Sequence, residues 1–240
     1  MRFLLENPDA VRAAEAARDA GLDGVLLADL PAPLITAAAL AGQVEDVLVA
    51  AEVTLGDRHP LELAEEAIVT DLALGGRLIL VVRPAEGAEE RFDEALDLLR
   101  LCLTPRPFRF EGRFWRVPAN LPQNVWLPEE QVRVTPSPPR ARLELWTSEH
   151  GSSGRDGGLS PSMIAGGMAD GGTQFACREQ WGEVALLIER LRAARPEWAV
   201  VAAPVDAARE LGSIVRPRVQ LHRLSPGLEA FWNAERPWEC

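Results

Sequence analysis

The sequence predicts an α/β fold, and within that class a compact (β/α)8 TIM-type barrel forming one domain over residues 1–240. Two observations carry this. Short runs rich in Val, Leu and Ile alternate with segments of helical periodicity, the layout that yields parallel strands joined by crossover helices. Eight such units follow one another, the number that closes a barrel. At 240 residues the chain is long enough to bury a full core, and an open doubly wound sheet is the structural alternative.

The strands are expected at residues 2–5, 24–28, 47–54, 78–83, 142–147, 173–176, 198–202 and 218–223. Helical patterns lie near residues 8–20, 34–41, 61–74, 88–103, 161–168, 178–194 and 205–211, with a short closing one near 227–232. The third unit shows the grammar best. In RHPLELAEEAIVTDLALGGRLIL, Pro60 suits a first helical turn, and Leu61, Ala64, Glu65 and Ile68 keep helical spacing. Gly75 and Gly76 then stop the helix before the apolar run of the fourth strand.

Residues 104–140 break the rhythm with many prolines and no helical period, so they read as an insertion after the fourth helix. Inside it, FRFEGRFWRV alternates aromatic and charged residues about Glu111-Gly112, a β-hairpin signal. Its aromatic stripe could cover the barrel mouth or pack on the flank, and the flank is the favoured reading. The Gly- and Ser-rich stretch TSEHGSSGRDGGLSPS directly follows a strand, which in a parallel α/β fold is the functional end.

Composition narrows the function classes. A formal net charge of −11 repels polyanions over most of the surface, which argues against nucleic-acid partners. No apolar run is long enough to cross a bilayer, and the MRFLLENPDA start lacks the basic and long apolar regions of an export signal. A cytoplasmic location is the resulting expectation. All 25 basic residues are Arg and Tyr is absent, which removes Schiff-base lysine and tyrosine acid/base chemistry. Cys102, Cys177 and Cys240 are far apart and have no His nearby, so they read as structural thiols rather than as a zinc site. Phosphate-loop, HExxH, CxxC and GxSxG patterns are absent too.

Three pieces in order carry a family resemblance: HPLELAEEAIVTDLALGGRLIL, RFDEALDLLRLCLTPRPFRFEGRFWRV, and the later WTSEHGSSG followed by MIAGGMADGG. Together they resemble the bacterial luciferase-like flavin monooxygenase family. NPDAVRAAEAARDAGLDGVLLAD, with its alanine-rich helix and Ala-Gly-x-Asp approach to a strand, extends the likeness to the N-terminus. The resemblance implies a barrel holding FMN or the deazaflavin F420 at the carboxyl ends of its strands. It also implies oxidation or reduction of a small organic substrate, a flavin reductase or catalytic partner subunit, and a homodimer or heterodimer formed through helices of the first half.

Cofactor-binding candidates follow from the same resemblance. Thr54, Leu55 and Gly56 fall where the family's backbone supports the flavin ring, although a tight turn explains Gly56 equally well. Arg83 falls where a flavin-phosphate arginine stands, against the simpler reading of a surface ion pair. Ser148, His150, Gly151, Ser152 and Ser153 supply the hydroxyl, imidazole and N–H donors that suit an anionic tail, or else an ordinary loop. His59, Asp71, Gly75, Gly76 and Arg77 belong to the motif but read as structural. Many members place a histidine soon after the aspartate numbered 29 here, whereas this chain continues Leu-Pro-Ala-Pro. That departure leaves the catalytic residue unknown and keeps open a degenerate member: a flavin-binding protein or a non-catalytic partner subunit.

Overall fold

The computed structural model describes residues 1–118, 131–138, 143–148, 163–166, 174–194 and 196–221, with the backbone alone described at 148, 163–166, 174–177 and 221. Four βα units come first: β1 (Arg2–Glu6), α1 (Ala10–Asp19), β2 (Gly24–Leu27), α2 (Pro33–Leu40), β3 (Leu48–Leu55), α3 (Pro60–Ala73), β4 (Leu78–Pro84) and α4 (Glu89–Cys102). The hairpin strands β5 (Phe110–Glu111) and β6 (Arg116–Val117) follow. Then come β7 (Glu144–Ser148), β8 (Met163–Gly166), β9 (Gln174–Gln180), α5 (Val184–Ala194) and β10 (Trp198–Ala202). Residues 205–221 form a helical run with a π-helical turn at Leu211–Val215.

Eight strands close a barrel in the order β1-β10-β9-β8-β7-β4-β3-β2. Seven run parallel, and β8 runs antiparallel between β7 and β9. The α/β class is as the sequence predicts, but the eighth unit is not built as expected. Residues 163–166, read as part of a helix at 161–168, pair as a strand, and residues 218–221, read as the start of the last strand at 218–223, belong to the helix Arg216–Leu221. Both differences have a physical cause. The open hydrogen-bonding edges of β7 and β9 recruit a short segment whose own propensity is weak. Pro217 meanwhile removes a donor from any strand ladder.

Strand alternation sorts the core into two layers. Leu4, Leu26, Ala50, Ile79, Val81, Trp146, Trp198 and Val200 fill the barrel, while Phe3, Leu5, Val25, Val49, Leu80 and Val82 face the helices. Trp146 and Trp198 meet edge to face at 5.1 Å between centroids. Trp146 Nε1 donates to Glu144 Oε1 at 3.0 Å, and the Arg2 guanidinium lies 4.9 Å from the Trp198 ring. The interior is therefore packed at its lower end. Whatever the barrel binds has to bind above these rings.

The motif residues read as structural are structural. His59 is the N-cap of α3 and accepts from Leu61 N at 3.2 Å, so it closes the helix start. Asp71 is fully buried and accepts from Leu78 N at 3.0 Å, and Arg77 donates to the carbonyls of Leu74, Val44 and Val47. These bonds knot the loops at the amino ends of β3 and β4. Gly75 and Gly76 make the turn at φ +63° and +83°.

The described part of the insertion packs on the flank. Phe108, Val117 and Val134 are buried in the outer core, with Trp115 against them, and Phe108 and Val132 exchange two backbone bonds of 2.8 Å. Burial also raises the Cys102 thiol to about 12, which keeps it protonated and inert.

Candidate active site at the barrel mouth

Charge enters the barrel at the carboxyl ends of the strands, one position above the apolar layer. Glu6 follows Leu4 on the inward face of β1, Glu52 and Thr54 follow Ala50 on β3, and Arg83 follows Val81 on β4. Arg178, paired in register with the inward Val200, completes the set from β9. One inward position above Leu4, Ala50 and Val81, the apolar interior thus becomes a ring of charges.

Arg178 and Glu6 form a two-point ion pair across β10: Nε donates to Oε2 at 2.6 Å, and Nη2 donates to Oε1. Burial works against the Arg178 charge, but the Glu6 hydrogen bonds and the nearby Glu52 and Asp29 carboxylates outweigh it and hold the guanidinium charged. Glu52 is different. It is only 7% exposed and makes no hydrogen bond or ion pair to a described residue. Burial raises its pKa above the usual carboxylate range, with Asp29 and Glu6 adding to the effect and Arg178 and Arg83 opposing it. Arg83, half-buried, likewise has no hydrogen-bond or ion-pair partner among the described residues. Among the described residues the mouth therefore holds one satisfied ion pair, and one carboxyl and one guanidinium without a hydrogen-bond partner.

The sequence candidates separate on this geometry. Thr54 and Arg83 stand opposite each other in the β3–β4 register. Ser148 ends β7 next to Thr147, which pairs with Val82, so its backbone adjoins Arg83; its side chain lies outside the described residues. Thr54 Oγ1 donates to Asp57 Oδ2 at 3.4 Å. Leu55 points outward into the core between sheet and helices, and its carbonyl accepts from Ala85 N at 3.0 Å, so only its backbone borders the mouth. Gly56 has φ +107°, and a Cβ there would come within 2.9 Å of Ala88 Cβ, which accounts for the glycine by a tight turn against the β4–α4 loop. His150, Gly151, Ser152 and Ser153 lie outside the described residues.

Sequence reasoning missed Glu6, Glu52 and Arg178. Glu52 carried a signal: one acid in the otherwise apolar run LVAAEVTL. Nothing in sequence spacing links Glu6 to Arg178, which are 172 residues apart. Asp29 follows β2 in the left-handed region at φ +53°, and Pro33 starts α2 four residues later, where the family resemblance leads one to look for a histidine.

Among the described residues no group of His, Cys, Asp or Glu is placed to hold a metal ion, and no helix is long and apolar enough to cross a membrane. A groove of about 430 Å³ lies between α1 and residues 205–209, on the outer helix layer rather than at the strand ends. Its lining of Ala16, Ala20, Ala208, Asp19 and Arg209 brings no unpaired buried polar group, so the chemistry points to the mouth instead.

The profile described as luciferase-like monooxygenase matches residues 6–215, from the first mouth residue to the last π-helical turn. No curated protein matches significantly. Among solved structures, a riboflavin lyase with modified FMN and riboflavin is similar at TM-score 0.51 and 18% identity, over 81% of this chain and 57% of that one. The oxygenating constituent of 3,6-diketocamphane monooxygenase from Pseudomonas putida, in complex with FMN, gives 0.47 and 14%, over 91% and 63%. A monooxygenase from Streptomyces bottropensis gives 0.48 and 21%, over 60% and 52%. The chain thus spans little more than half the length of these relatives. Barrel closure, a charged mouth at the carboxyl strand ends and a profile match over most of the sequence lead to one conclusion: the chain belongs to the luciferase-like monooxygenase family.

Proposed function

We propose that the protein is a flavin- or F420-dependent oxidoreductase, of monooxygenase type if the cofactor is FMN, acting on a small organic substrate at the barrel mouth. The observation that carries this is Arg83: a guanidinium without a described partner, beside the end of β7, at the carboxyl rim of a barrel of this family. A half-buried guanidinium without a described partner at the rim suits an anion, and a phosphate tail supplies one. The residues fit a flavin-type cofactor in this respect. Arg83, Ser148 and the Gly- and Ser-rich loop containing His150, Gly151, Ser152 and Ser153 would hold its tail, and the backbone of Thr54, Leu55 and Gly56 would border its ring.

The bound group supplies the redox equivalents, through oxygen for reduced FMN or as a hydride donor for F420. The chain's own part is positional and electrostatic. Trp146 and Trp198 close the barrel below the mouth and keep water from entering from that side. The Arg178–Glu6 pair fixes two charges of opposite sign at the rim without reorganisation during the reaction.

Dimerisation is part of the proposal. Ile35, Val69 and Leu72 are 74%, 53% and 44% exposed on α2 and α3, which pack on each other. A second copy, or a related subunit, would cover this apolar face. The proposal also places the protein in the cytoplasm, where reduced cofactor and a flavin reductase would be at hand.

The test is a fluorescence titration with FMN and with F420, repeated on Arg83→Ala and Ser152→Glu. Saturable binding that weakens at least tenfold in both variants supports the reading. Failure of both cofactors to bind overturns it. Binding without consumption of reduced cofactor, over a panel of aldehydes, ketones and amines, would instead favour the flavin-binding or partner-subunit alternative.

A further inference from the structure

The proposed cofactor site uses Arg83 but leaves Glu52 without a role. A carboxyl on a residue only 7% exposed normally has a protein hydrogen-bond partner unless its oxygens still open onto solvent or a ligand. Glu52 has none among the described residues, and it stands on the inward face of β3 at the level of the ring of charges. Packing does not require it, since Ala50 one step below and Thr54 one step above are smaller. Its surroundings are charged on several sides: Glu6 from β1, Asp29 from the end of β2, Arg83 from β4 and Arg178 from β9. From β7 comes the neutral Trp146, through the register Glu52, Val81, Trp146.

The two arginines differ in availability. Arg178 is engaged by both oxygens of Glu6, and its charge is already compensated. Arg83 forms no ion pair with Glu52. In the absence of such a pair, and with two other carboxylates near it, the acid form of Glu52 is favoured more than in an exposed carboxyl, although Arg178 and Arg83 oppose the effect. A carboxylic acid is a donor that an anion is not.

We propose that Glu52 is the ligand-facing hydrogen-bond donor of the mouth: a neutral carboxylic acid whose proton is shared with an acceptor carbonyl or ring nitrogen of the bound cofactor, while Arg83 takes the anionic end. This rests on the flavin or deazaflavin reading of the site, and it adds to that reading a proton at a named atom. Burial raises the carboxyl's pKa and so favours the proton staying in place to higher pH than on an exposed carboxylate. No bond forms or breaks in the binding step, and the proton stays on Glu52. Binding should weaken as that proton is lost, by about tenfold per pH unit once the protonated fraction limits.

Two measurements test the idea separately from the function. In the protein without cofactor, infrared difference spectra of wild type against Glu52→Gln should show the carbonyl stretch of a protonated carboxyl below the titration and lose it above. Absence of that band at every pH above the ordinary carboxylate range overturns the inference whether or not a flavin binds. In the second, FMN affinity is followed across pH in wild type, Glu52→Gln and Glu52→Ala. The ligand's phosphate also titrates, so the informative quantity is the difference between wild type and Glu52→Gln. The expected result is that Glu52→Gln, still a neutral donor, binds as wild type at low pH and loses the Glu52-specific weakening at high pH. Glu52→Ala should bind at least tenfold more weakly at low pH. Equal pH profiles in wild type and Glu52→Gln overturn the inference while leaving the cofactor reading intact; no binding at any pH overturns both.

Discussion

Glu94 holds the hairpin turn to α4 with a single carboxylate. Its oxygens accept from the backbone N–H groups of Arg113, Phe114 and Trp115 at 2.8, 2.8 and 2.9 Å. What little burial it has works against its charge, but the three N–H groups prevail and hold its pKa below the ordinary value. The sign of the pH dependence follows. A lowered folded-state pKa gives a stabilisation that is complete above the unfolded carboxylate pKa and is lost as pH falls through the lower folded value. Amide exchange at Arg113, Phe114 and Trp115 should therefore accelerate on acidification in wild type. In Glu94→Gln it should be faster already at neutral pH, with no further acid step, and the cost should be about 1–2 kcal/mol once solvent exposure is discounted. Equal exchange in the two proteins at neutral pH would show that the clip does not hold the turn. Glu52 carries the opposite sign. Its raised pKa lowers stability as pH climbs from the ordinary carboxylate range through its folded value, so Glu52→Gln should gain thermal stability relative to wild type at higher pH and lose that gain in acid. Melting curves at several pH values would decide it, and an unchanged difference across pH would remove Glu52 from the account. Neither role was legible in sequence. Glu94 sat in the Arg-Phe-x-Glu-Ala stretch of the resemblance, but its partners lie about 20 residues away.

Elements meet closely at two glycines. A Cβ on Gly24, in β2, would lie 2.1 Å from the Leu48 carbonyl oxygen, and one on Gly212, in the π-helical turn, 2.2 Å from that of Ala20. Backbone cannot yield as a side chain end can, so strand β2 and the last helical run each depend on a missing methyl. Gly75 provides the contrast, with open space around it but φ +63°. Gly24→Ala should cost about 3 kcal/mol or more, and Gly75→Ala about 1 kcal/mol, in chemical denaturation. Similar losses in the two variants would mean that the β2–β3 approach is looser than described. Arg216 donates to the Gly21 carbonyl and reaches Asp23 at 3.4 Å, which ties the same helical run to the α1–β2 loop. Sequence periodicity located β10 at residues 198–202 and the first four strands to within one residue at most ends, because each is a buried run bounded by clear stops. It could not locate β8. That strand exists because of the two edges beside it.

Across the whole molecule, the exposed apolar residues of α2 and α3 make the clearest prediction. If a second copy covers them, Ile35→Asp combined with Val69→Glu should convert a dimer to a monomer in sedimentation or light scattering, with little change in melting temperature measured on the monomer. Wild type that is monomeric at high concentration would end the dimer proposal. The barrel interior divides the same way from end to end: two tryptophans meeting edge to face below, and Glu6, Asp29, Glu52, Arg83 and Arg178 above. This division supports the proposed binding at the carboxyl rim.

By itself the sequence determined the α/β class, the first four βα units and the family, since these rest on local periodicity, stop signals and motifs read within one stretch of chain. Only the tertiary structure decided that β8 closes the ring antiparallel, that Leu55 turns its side chain away from the mouth, and that Glu6 meets Arg178. Each depends on a hydrogen-bonding edge, a pleat or a charge supplied by residues far away in the chain, and the energy that selects it arises only after the barrel has closed.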